Sequence, residues 1–263
     1  MRSIAIASGK GGVGKTSFVI NLALALAQCN QKVLIFDADL GLANVDVMLG
    51  LSPKFDIRHV LTEKLSLKDI IYTTDYNFDI IPAGSGAIEL VNLSSNQKLL
   101  LKAQMEETFK NYDFLLFDSS AGISENVLFF LLLAGERIIL CTPEPTSIAD
   151  AYALIKVAYK KYKIKDFYLI VNMISNNLEG KRIYQQILYV LERFLPEIKL
   201  SYLGGLPYDE GVKKAIKSQI PYLILYPENT LSSKIKEITL KLLKFNPQDD
   251  KGLETFLERL VKF

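Results

Sequence analysis

Short, continuously apolar runs alternate along the chain with longer stretches whose apolar residues recur every three or four positions. Runs of the first kind are typical of strands buried on both faces of a parallel sheet, and the second spacing is typical of helices that cover such a sheet. The seven runs lie at residues 4–7, 32–37, 78–82, 114–118, 137–142, 166–173 and 199–206. Helical spacing separates most of them, and Thr146 or Ser147 is the expected N-cap of the helix that ends near Lys161. The alternation predicts one doubly wound, mostly parallel α/β sheet of about seven strands with helices on both faces.

The end of the chain departs from this alternation. Residues 246–251 are polar and typical of a linker. Residues 252–263 then carry an apolar stripe at helical spacing, which consists of Leu253, Phe256, Leu257 and Leu260. We therefore predict a domain over residues 1–245, a linker over residues 246–251 and an amphipathic helix over residues 252–263.

Composition narrows the classes of function. The chain has 263 residues, 49% of them hydrophobic, and a net charge of +2. Positive and negative charges nearly balance, so the chain lacks the strongly basic character of many nucleic-acid binders. A single histidine, His59, excludes a multi-histidine metal site, and Cys29 and Cys141 lie too far apart in sequence to predict a metal-binding or disulfide pattern.

The placement of apolar residues also bears on localisation. The first predicted strand leaves no room for a signal peptide, and the longest uninterrupted apolar run covers residues 127–134. That run is far shorter than the roughly 18 residues that a membrane-spanning helix needs. We therefore expect a cytoplasmic protein.

A glycine-rich segment follows the first predicted strand. Gly9, Gly14, Lys15 and Thr16 fit the spacing G-x-x-x-x-G-K-[ST], and an amphipathic helix comes next. Glycines let consecutive backbone N–H groups converge on an oxyanion, and the helix adds the positive end of its dipole. Lysine at this position is expected to reach the β- and γ-phosphates, and the threonine hydroxyl is expected to ligate Mg²⁺. The predicted nucleotide-binding residues here are Gly9, Gly11, Gly12, Val13, Gly14, Lys15, Thr16 and Ser17.

A second lysine, Lys10, extends this segment to Lys-Gly-Gly-x-Gly-Lys-Thr. With this signature the chain resembles the MinD/ParA family of P-loop ATPases, whose Walker A motif is a deviant one. The resemblance implies ATP and Mg²⁺ as cofactors, slow regulatory hydrolysis, and a homodimer when ATP is bound. It also implies a catalytic role for Lys10, which crosses to the γ-phosphate in the partner subunit. A solvated lysine on a mobile loop is the alternative.

Two further predicted strands end in carboxylates, one at Asp118 and the other at Asp37 and Asp39. Such strand ends lie at the edge where α/β sheets bind ligands, and Mg²⁺ favours one or two carboxylates beside phosphate and water oxygens. We predict that Asp118 and Thr16 hold Mg²⁺, the former directly or through water; a carboxylate that caps the next turn is the alternative. Spacing does not distinguish Asp37 from Asp39. The resemblance implies that Asp39 orients the attacking water and that Asp37 braces the loop or the water shell of the metal.

Two positions near later strand ends match the base-contacting segments of the same family. They are Asn172 and the segment Gly205-Leu-Pro207-Tyr-Asp209. The resemblance implies that Asn172, Pro207 and Asp209 contact adenine, and an amide side chain can both donate to and accept from the base. Ordinary turn residues are the alternative at each position.

Three longer segments point to a subgroup. Residues 37–44, 120–124 and 142–156 are similar to the MinD-like regulators of flagellar number and placement, the FlhG/FleN group, although Ser119-Ser120 replaces the usual Thr-Gly. The resemblance implies such a regulatory role, with a flagellar-assembly GTPase or a transcription regulator as a partner. It also implies that residues 252–263 bind the cytoplasmic face of the inner membrane weakly and reversibly. Packing of that helix on its own domain is the alternative.

Two other cellular roles compete with this one. A ParA-like ATPase that partitions DNA or cargo would use the lysines of one helix to contact phosphates, and these are Lys156, Lys160, Lys161, Lys163 and Lys165. Such runs are usually solvated helix faces, so we do not expect DNA as a partner. The other competing role is that of a MinD-like division-site regulator.

Overall fold

A computed structural model describes residues 1–39, 44–62, 64–82, 95–244 and 253–262. Its strands are β1 (Arg2–Ser8), β2 (Val33–Ala38), β3 (Tyr72–Thr73), β4 (Asp79–Ile81), β5 (Phe114–Ala121), β6 (Glu136–Cys141), β7 (Asp166–Ile174) and β8 (Lys199–Pro207). Within the described residues they form one sheet in the order β3-β4-β2-β5-β1-β6-β7-β8. All neighbouring strands in it are parallel except β3 and β4, which are antiparallel.

Helices cover both faces of this sheet. In the described ranges they are α1 (Lys15–Gln28), α2 (Val45–Leu49), α3 (Ile57–Leu61), α4 (Ser95–Phe109), α5 (Glu125–Leu133), α6 (Pro145–Tyr162), α7 (Asn177–Phe194), α8 (Gly211–Ser218), α9 (Tyr222–Leu225), α10 (Thr230–Lys244) and α11 (Leu253–Lys262). A short 3₁₀ turn spans Leu67–Ile70.

The core consists of two apolar layers separated by the sheet. Alternate residues of β1 supply both layers, because successive side chains of a strand point to opposite faces. Ile4 and Ile6 pack in the layer with α1, α9 and α10, whereas Ala5 and Ala7 pack in the layer with α4, α5, α6, α7 and α11. All four side chains are fully buried, as the continuous apolar pattern of a doubly covered strand requires.

The strand order places β1 at the point where the sheet changes its direction of growth. On one side of β1 lie β5, β2, β4 and β3, and on the other side β6, β7 and β8 follow one another in chain order. The helix that follows β1 packs on one face of the sheet, and α5, which connects β5 to β6, packs on the other. Ligands of open α/β sheets bind at the carboxyl ends of strands at such a switch point.

The predicted fold class is confirmed, and each of the seven predicted strands is present. The eighth strand, β3, was not predicted because two residues are too few to show a period. The predicted cap of α6 is wrong. Glu144 occupies the N-cap position, with Pro145 as the first helical residue, and the hydroxyl of Ser147 accepts a hydrogen bond from the backbone N–H of Thr142 instead.

The C-terminal helix α11 packs on the domain through its apolar stripe. Phe256, Leu257 and Leu260 are buried. The Phe256 ring lies 5.8 Å from that of Phe117 and 6.1 Å from that of Phe109. Arg259 donates a hydrogen bond of 2.8 Å to the carbonyl of Ala134, directly after α5. Burial of each such side chain stabilises the docked helix by about 1.5–3 kcal/mol before ordering costs.

Two expectations about the ends of the chain remain predictions. The proposed linker over residues 246–251 lies outside the described residues, so the division into three segments is untested. Membrane targeting by α11 is likewise untested, and the structure shows the packed alternative. None of the helices in the described residues combines the length and the apolar character needed to cross a bilayer.

Candidate nucleotide-binding site

The glycine-rich loop lies between the end of β1 and the start of α1. Gly14, the last residue before the helix, has φ of +89°, in the left-handed region where a side chain is disfavoured. A Cβ atom at Gly14 would also lie 2.6 Å from Nδ2 of Asn172. A Cβ atom at Gly9 would lie 2.3 Å from the carbonyl oxygen of Asp150 on α6. The loop is therefore held close to β7 and α6, and glycine is required at both contacts.

Lys15 is a buried cation at the first position of α1. Its side chain is 8% exposed, and its Nζ donates to Oγ of Ser8 over 3.0 Å. Burial lowers its pKa, while the nearby carboxylates of Asp118 and Asp39 act in the opposite direction. Because the ammonium makes few contacts for a buried charge, it remains available to an anionic ligand above the loop.

Asp118 is a fully buried acid on the strand next to β1. Neither oxygen of its carboxylate has a hydrogen-bond partner among the described residues. Its pKa is raised from 3.8 to about 7, mainly by burial. The hydroxyl of Thr16 and the charge of Lys15 oppose this rise, and the charge of Asp39 adds to it. An orphaned buried carboxylate of this kind is unfavourable unless a cation joins it.

These residues fit a magnesium ion that shares its ligands with a phosphate. The hydroxyl of Thr16 and the carboxylate of Asp118 are both oxygen donors of the kind that Mg²⁺ prefers. In the described part of the chain no group of three or more His, Cys, Asp and Glu side chains forms a cage for a metal. The ion would therefore need phosphate and water oxygens to complete its coordination, as is usual for Mg²⁺ at nucleotide sites.

Asp37 and Asp39 take different places at the end of β2. Asp37 is buried, and its carboxylate accepts hydrogen bonds from the backbone N–H groups of Asp39, Asn44 and Val45 over 3.0–3.3 Å. Burial raises the pKa of Asp37 to about 8, and the charge of Asp118 adds to this. Asp37 thus braces the ends of the segment that joins β2 to α2. Asp39 instead lines the cavity beside the loop.

The base-contacting candidates lie at the carboxyl ends of β7 and β8. Nδ2 of Asn172 donates to the carbonyl of Val13 over 2.8 Å, and its Oδ1 accepts from the backbone N–H of Met173. Pro207 and Asp209 line the same cavity as the loop. The structure therefore brings together candidates that are separated by nearly 200 residues in the sequence.

One cavity of about 530 Å³ connects the glycine-rich loop and Asp39 with the base-contacting candidates, and its size is usual for small-molecule sites. The end beside the glycine-rich loop, called the phosphate end after its predicted ligand, is formed by Gly11, Gly12, Gly14, Lys15, Thr16, Ser17 and Asp39. The opposite end has apolar walls whose residues were not predicted to belong to a site. These walls include Phe18, Met48, Val212, Ile216, Leu231 and Ile235. The apolar spacing on α8 and α10 indicated that each helix has a buried face. It did not indicate that part of this face borders a cavity, because a face packed in the core and a face that lines a cavity have the same apolar pattern.

Comparison with known proteins agrees with this geometry. A protein-family model described as an AAA domain matches residues 1–170. The antiactivator FleN of Pseudomonas aeruginosa is 40% identical over 263 residues, which cover 98% of this chain and 93% of that protein. The flagellum site-determining protein YlxH of Helicobacter pylori is 33% identical over 99% of this chain and 90% of its own length.

The chain belongs to the MinD/ParA family of P-loop ATPases. Its fold is that of the septum site-determining protein MinD complexed with Mg-ADP from Pyrococcus horikoshii, with a TM-score of 0.74, 24% identity, and coverage of 92% of this chain and 96% of that one. The resemblance inferred from the glycine-rich segment is thereby confirmed. Members of the MinD/ParA family are nucleotide hydrolases. Of the two relatives, FleN is named as an antiactivator and YlxH as a flagellum site-determining protein.

The family's signature lysine, Lys10, does not line the cavity in this structure. Its ammonium forms an ion pair with Glu144 and donates to Oγ1 of Thr146 over 3.0 Å, at the start of α6. Gly9, Val13 and the predicted metal ligand Asp118 are likewise absent from the cavity wall. The crossing of Lys10 to a partner subunit involves a second copy of the chain and stays a prediction.

Proposed function

We propose that the protein is an ATP-dependent switch: ATP with Mg²⁺ closes a homodimer, the dimer binds the cytoplasmic face of the membrane, and slow hydrolysis resets it. The observation that carries the hydrolytic part is the buried, unpartnered carboxylate of Asp118 beside Lys15 and Thr16. A cation and a polyphosphate together would satisfy all three side chains. When bound, Mg²⁺ would neutralise charge that develops on the phosphates.

The residues around the loop have separable roles in this proposal. The loop N–H groups and Lys15 bind and orient the phosphates, which is the main source of catalysis in phosphoryl transfer. Thr16 and Asp118 hold the metal. Asp39 lines the cavity, whereas the carboxylate of Asp37 is occupied by backbone N–H groups, so Asp39 is the residue that orients the attacking water. Lys10 exchanges its contact with Glu144 for the γ-phosphate in the partner subunit.

An Asp39→Ala variant tests the switch. Hydrolysis should fall by about 10²-fold or more because the water is no longer oriented, while ATP should still bind. The variant should therefore accumulate as a dimer in ATP and Mg²⁺, measured by light scattering after size-exclusion chromatography. A monomer at saturating ATP would contradict the dimer proposal, and unchanged phosphate release would contradict the role of Asp39.

We further propose that the switch regulates flagellar number or placement. Similarity to FleN and YlxH over nearly the whole chain supports this role. The expected partners are a flagellar-assembly GTPase or a transcription regulator. Deletion of the gene in its native host should change the number or position of flagella in electron micrographs, and wild-type flagellation in the deletion strain would contradict the proposal. A change confined to the division site would instead support the MinD-like role.

Membrane binding requires α11 to leave the domain, since its apolar stripe is buried there. We propose that the ATP-bound dimer releases it, and that two released copies bind together more strongly than one. In sedimentation with anionic vesicles, ATP should increase binding relative to ADP, and Leu257→Glu should abolish it. The control is Glu254→Gln, on the exposed face of the same helix. Vesicle binding that is the same for Leu257→Glu and the parent would contradict a role for α11.

The DNA-partitioning alternative has less support. Two of the lysines near α6 are already paired with acids: Lys161 with Glu125, and Lys165 with Glu197. These ion pairs lower the local positive charge available to a polyanion. Retention on a DNA column that decreases steeply with salt would nevertheless favour this role over membrane binding.

A further inference from the structure

The apolar end of the cavity, called the base end below, contains a buried hydroxyl whose accepting capacity is unused among the described residues. Tyr222, the first residue of α9, is 1% exposed and lines the cavity. No described residue donates a hydrogen bond to its hydroxyl oxygen. Because a buried acceptor without a donor costs stability, its place beside a ligand cavity points to a ligand that donates to it.

Two neighbouring amide side chains of the cavity wall are already engaged. Asn172 bonds with Val13 and Met173. Asn21 donates to the carbonyl of Ser17 and accepts from the backbone N–H of Leu223. Among the described residues at this end, the hydroxyl of Tyr222 is therefore the buried side-chain group with unused hydrogen-bonding capacity.

Asp209 lies beside this hydroxyl. A Cβ atom at Gly211 would lie 2.7 Å from Oδ1 of Asp209 and 3.1 Å from Cε2 of Tyr222, so the carboxylate and the phenol ring meet at the same point. Burial raises the pKa of Tyr222, and the charge of Asp209 raises it further, so the phenol stays protonated. Because a carboxylate only accepts, the phenol proton turns toward Asp209 and the lone pairs of the phenol oxygen are left to accept.

We propose that Tyr222 is a specificity-determining residue, whose hydroxyl oxygen accepts a hydrogen bond from the exocyclic amino group of adenine. The inference rests on the proposed function, in which phosphates occupy the loop and the base enters the apolar end of the cavity. An amino group at position 6 of the purine supplies the donor that the oxygen lacks. A carbonyl at that position, as in guanine or hypoxanthine, would place two acceptors together. Tyr222 therefore favours ATP over GTP.

The test removes each side of this hydrogen bond in turn. Tyr222→Phe keeps the ring and deletes the hydroxyl, and purine riboside 5′-triphosphate keeps the nucleotide and lacks the 6-amino group. Affinities for the full chain are measured with Mg²⁺ by displacement of a ribose-labelled fluorescent ATP. The parent should bind ATP about 10-fold more tightly than the analogue, the yield of one neutral hydrogen bond. In Tyr222→Phe the affinity for ATP should fall about 10-fold, whereas the affinity for the analogue should not change. The ratio of the two affinities should therefore approach one.

Two controls separate this role from others. Tyr226→Phe alters the neighbouring ring, 5.0 Å away, and should keep the parent's ratio. Nucleotide-free Tyr222→Phe loses only the contact of the phenol proton with Asp209, so its melting temperature should fall by no more than about 2–4 °C. A larger fall with equal loss of affinity for both nucleotides would assign the hydroxyl a structural role and overturn the inference.

The remaining outcomes distinguish this inference from the proposed function. If the parent binds ATP and Tyr222→Phe retains the parent's preference for it, only the role of Tyr222 is overturned. A parent that binds both nucleotides equally well overturns it too. If the parent binds neither nucleotide, the proposed ATPase function itself fails.

Discussion

The two ends of the cavity beside the glycine-rich loop are built by different means. At and beneath the phosphate end, Lys15, Asp37 and Asp118 are charged groups that are at most 8% exposed, and they lie at the start of α1, on β2 and on β5. The base end is mostly an apolar wall contributed by α1, α8, α9 and α10. A buried charge needs partners at fixed positions, so its residues follow a strict spacing. An apolar wall needs only volume and shape, so many residue types can form it.

The largest effect is expected from Lys15→Ala, which deletes the cation at the phosphate end. ATP hydrolysis should decrease by about 10²–10³-fold or more, because charge on the transferred phosphate loses its buried counterion. Phosphate release at saturating ATP is the measurement. The matched control is Lys68→Ala, whose exposed lysine pairs with Glu107 away from the cavity, and it should keep full activity. Activity within tenfold of the parent in Lys15→Ala would remove the basis for the phosphate end.

Asp118→Asn tests whether the buried carboxylate lowers the stability of the protein when no metal or nucleotide is bound. The pKa values of Asp37 and Asp118 are raised from 3.8 to about 8 and about 7. Between pH 4 and those values the folded state therefore binds more protons than the unfolded state, so stability falls as pH rises. In urea without nucleotide and metal, the parent should be less stable at pH 8 than at pH 6. Asp118→Asn should reduce this loss and exceed the parent at pH 8 by about 1–4 kcal/mol.

The control for this pH effect is Asp75→Asn, an exposed acid that should keep the parent's pH dependence. An identical pH slope in the parent and Asp118→Asn would show that the buried carboxylate is not strained. Added Mg²⁺ and a nucleotide should stabilise the parent more than Asp118→Asn, since only the parent keeps the carboxylate that the metal joins.

Ile235→Ala tests the base end, where a smaller and different effect is expected. Loss of buried contact with the base should raise KM for ATP about 5–10-fold and leave kcat unchanged, because the wall binds ground state and transition state alike. Leu240→Ala on the same helix is the control, since Leu240 is 52% exposed. A decrease in kcat with unchanged KM would mean that the wall takes part in catalysis.

The smallest effect is expected from Glu144→Gln at the rim of the loop. Lys10 and Glu144 form an exposed ion pair, with 37% and 64% of their side chains accessible, so solvent screens their attraction. The free energy of unfolding should change by less than about 0.5 kcal/mol in chemical denaturation. A loss several times larger would show that this pair holds the loop. The exposed pair would then contribute to stability as a buried charge pair does, which would contradict the distinction between exposed and buried charges.

Individual residues show how far sequence reasoning extended. The glycine-rich loop, the strand ends at Asp37 and Asp118, and seven of the eight strands within the described residues could be predicted from spacing alone. Asp39 was separated from Asp37 only by resemblance, and the structure shows that the two differ in backbone contacts. No local pattern indicated a role for Tyr222, because an aromatic residue at the start of a four-residue helix is typical of a protein core. Only its place beside Asp209 and the cavity shows that its hydroxyl oxygen has unused accepting capacity.

The sequence by itself determined the alternation of strands and helices and the glycine-rich loop, because both depend on contacts between residues close together in the chain. It also determined that the end of the chain forms an amphipathic helix. Only the tertiary structure decided that this helix packs against Phe109 and Phe117, and that α8, α9 and α10 complete the cavity begun by the loop. These contacts join residues more than a hundred positions apart, and the sheet order that brings them together is not encoded in any local pattern.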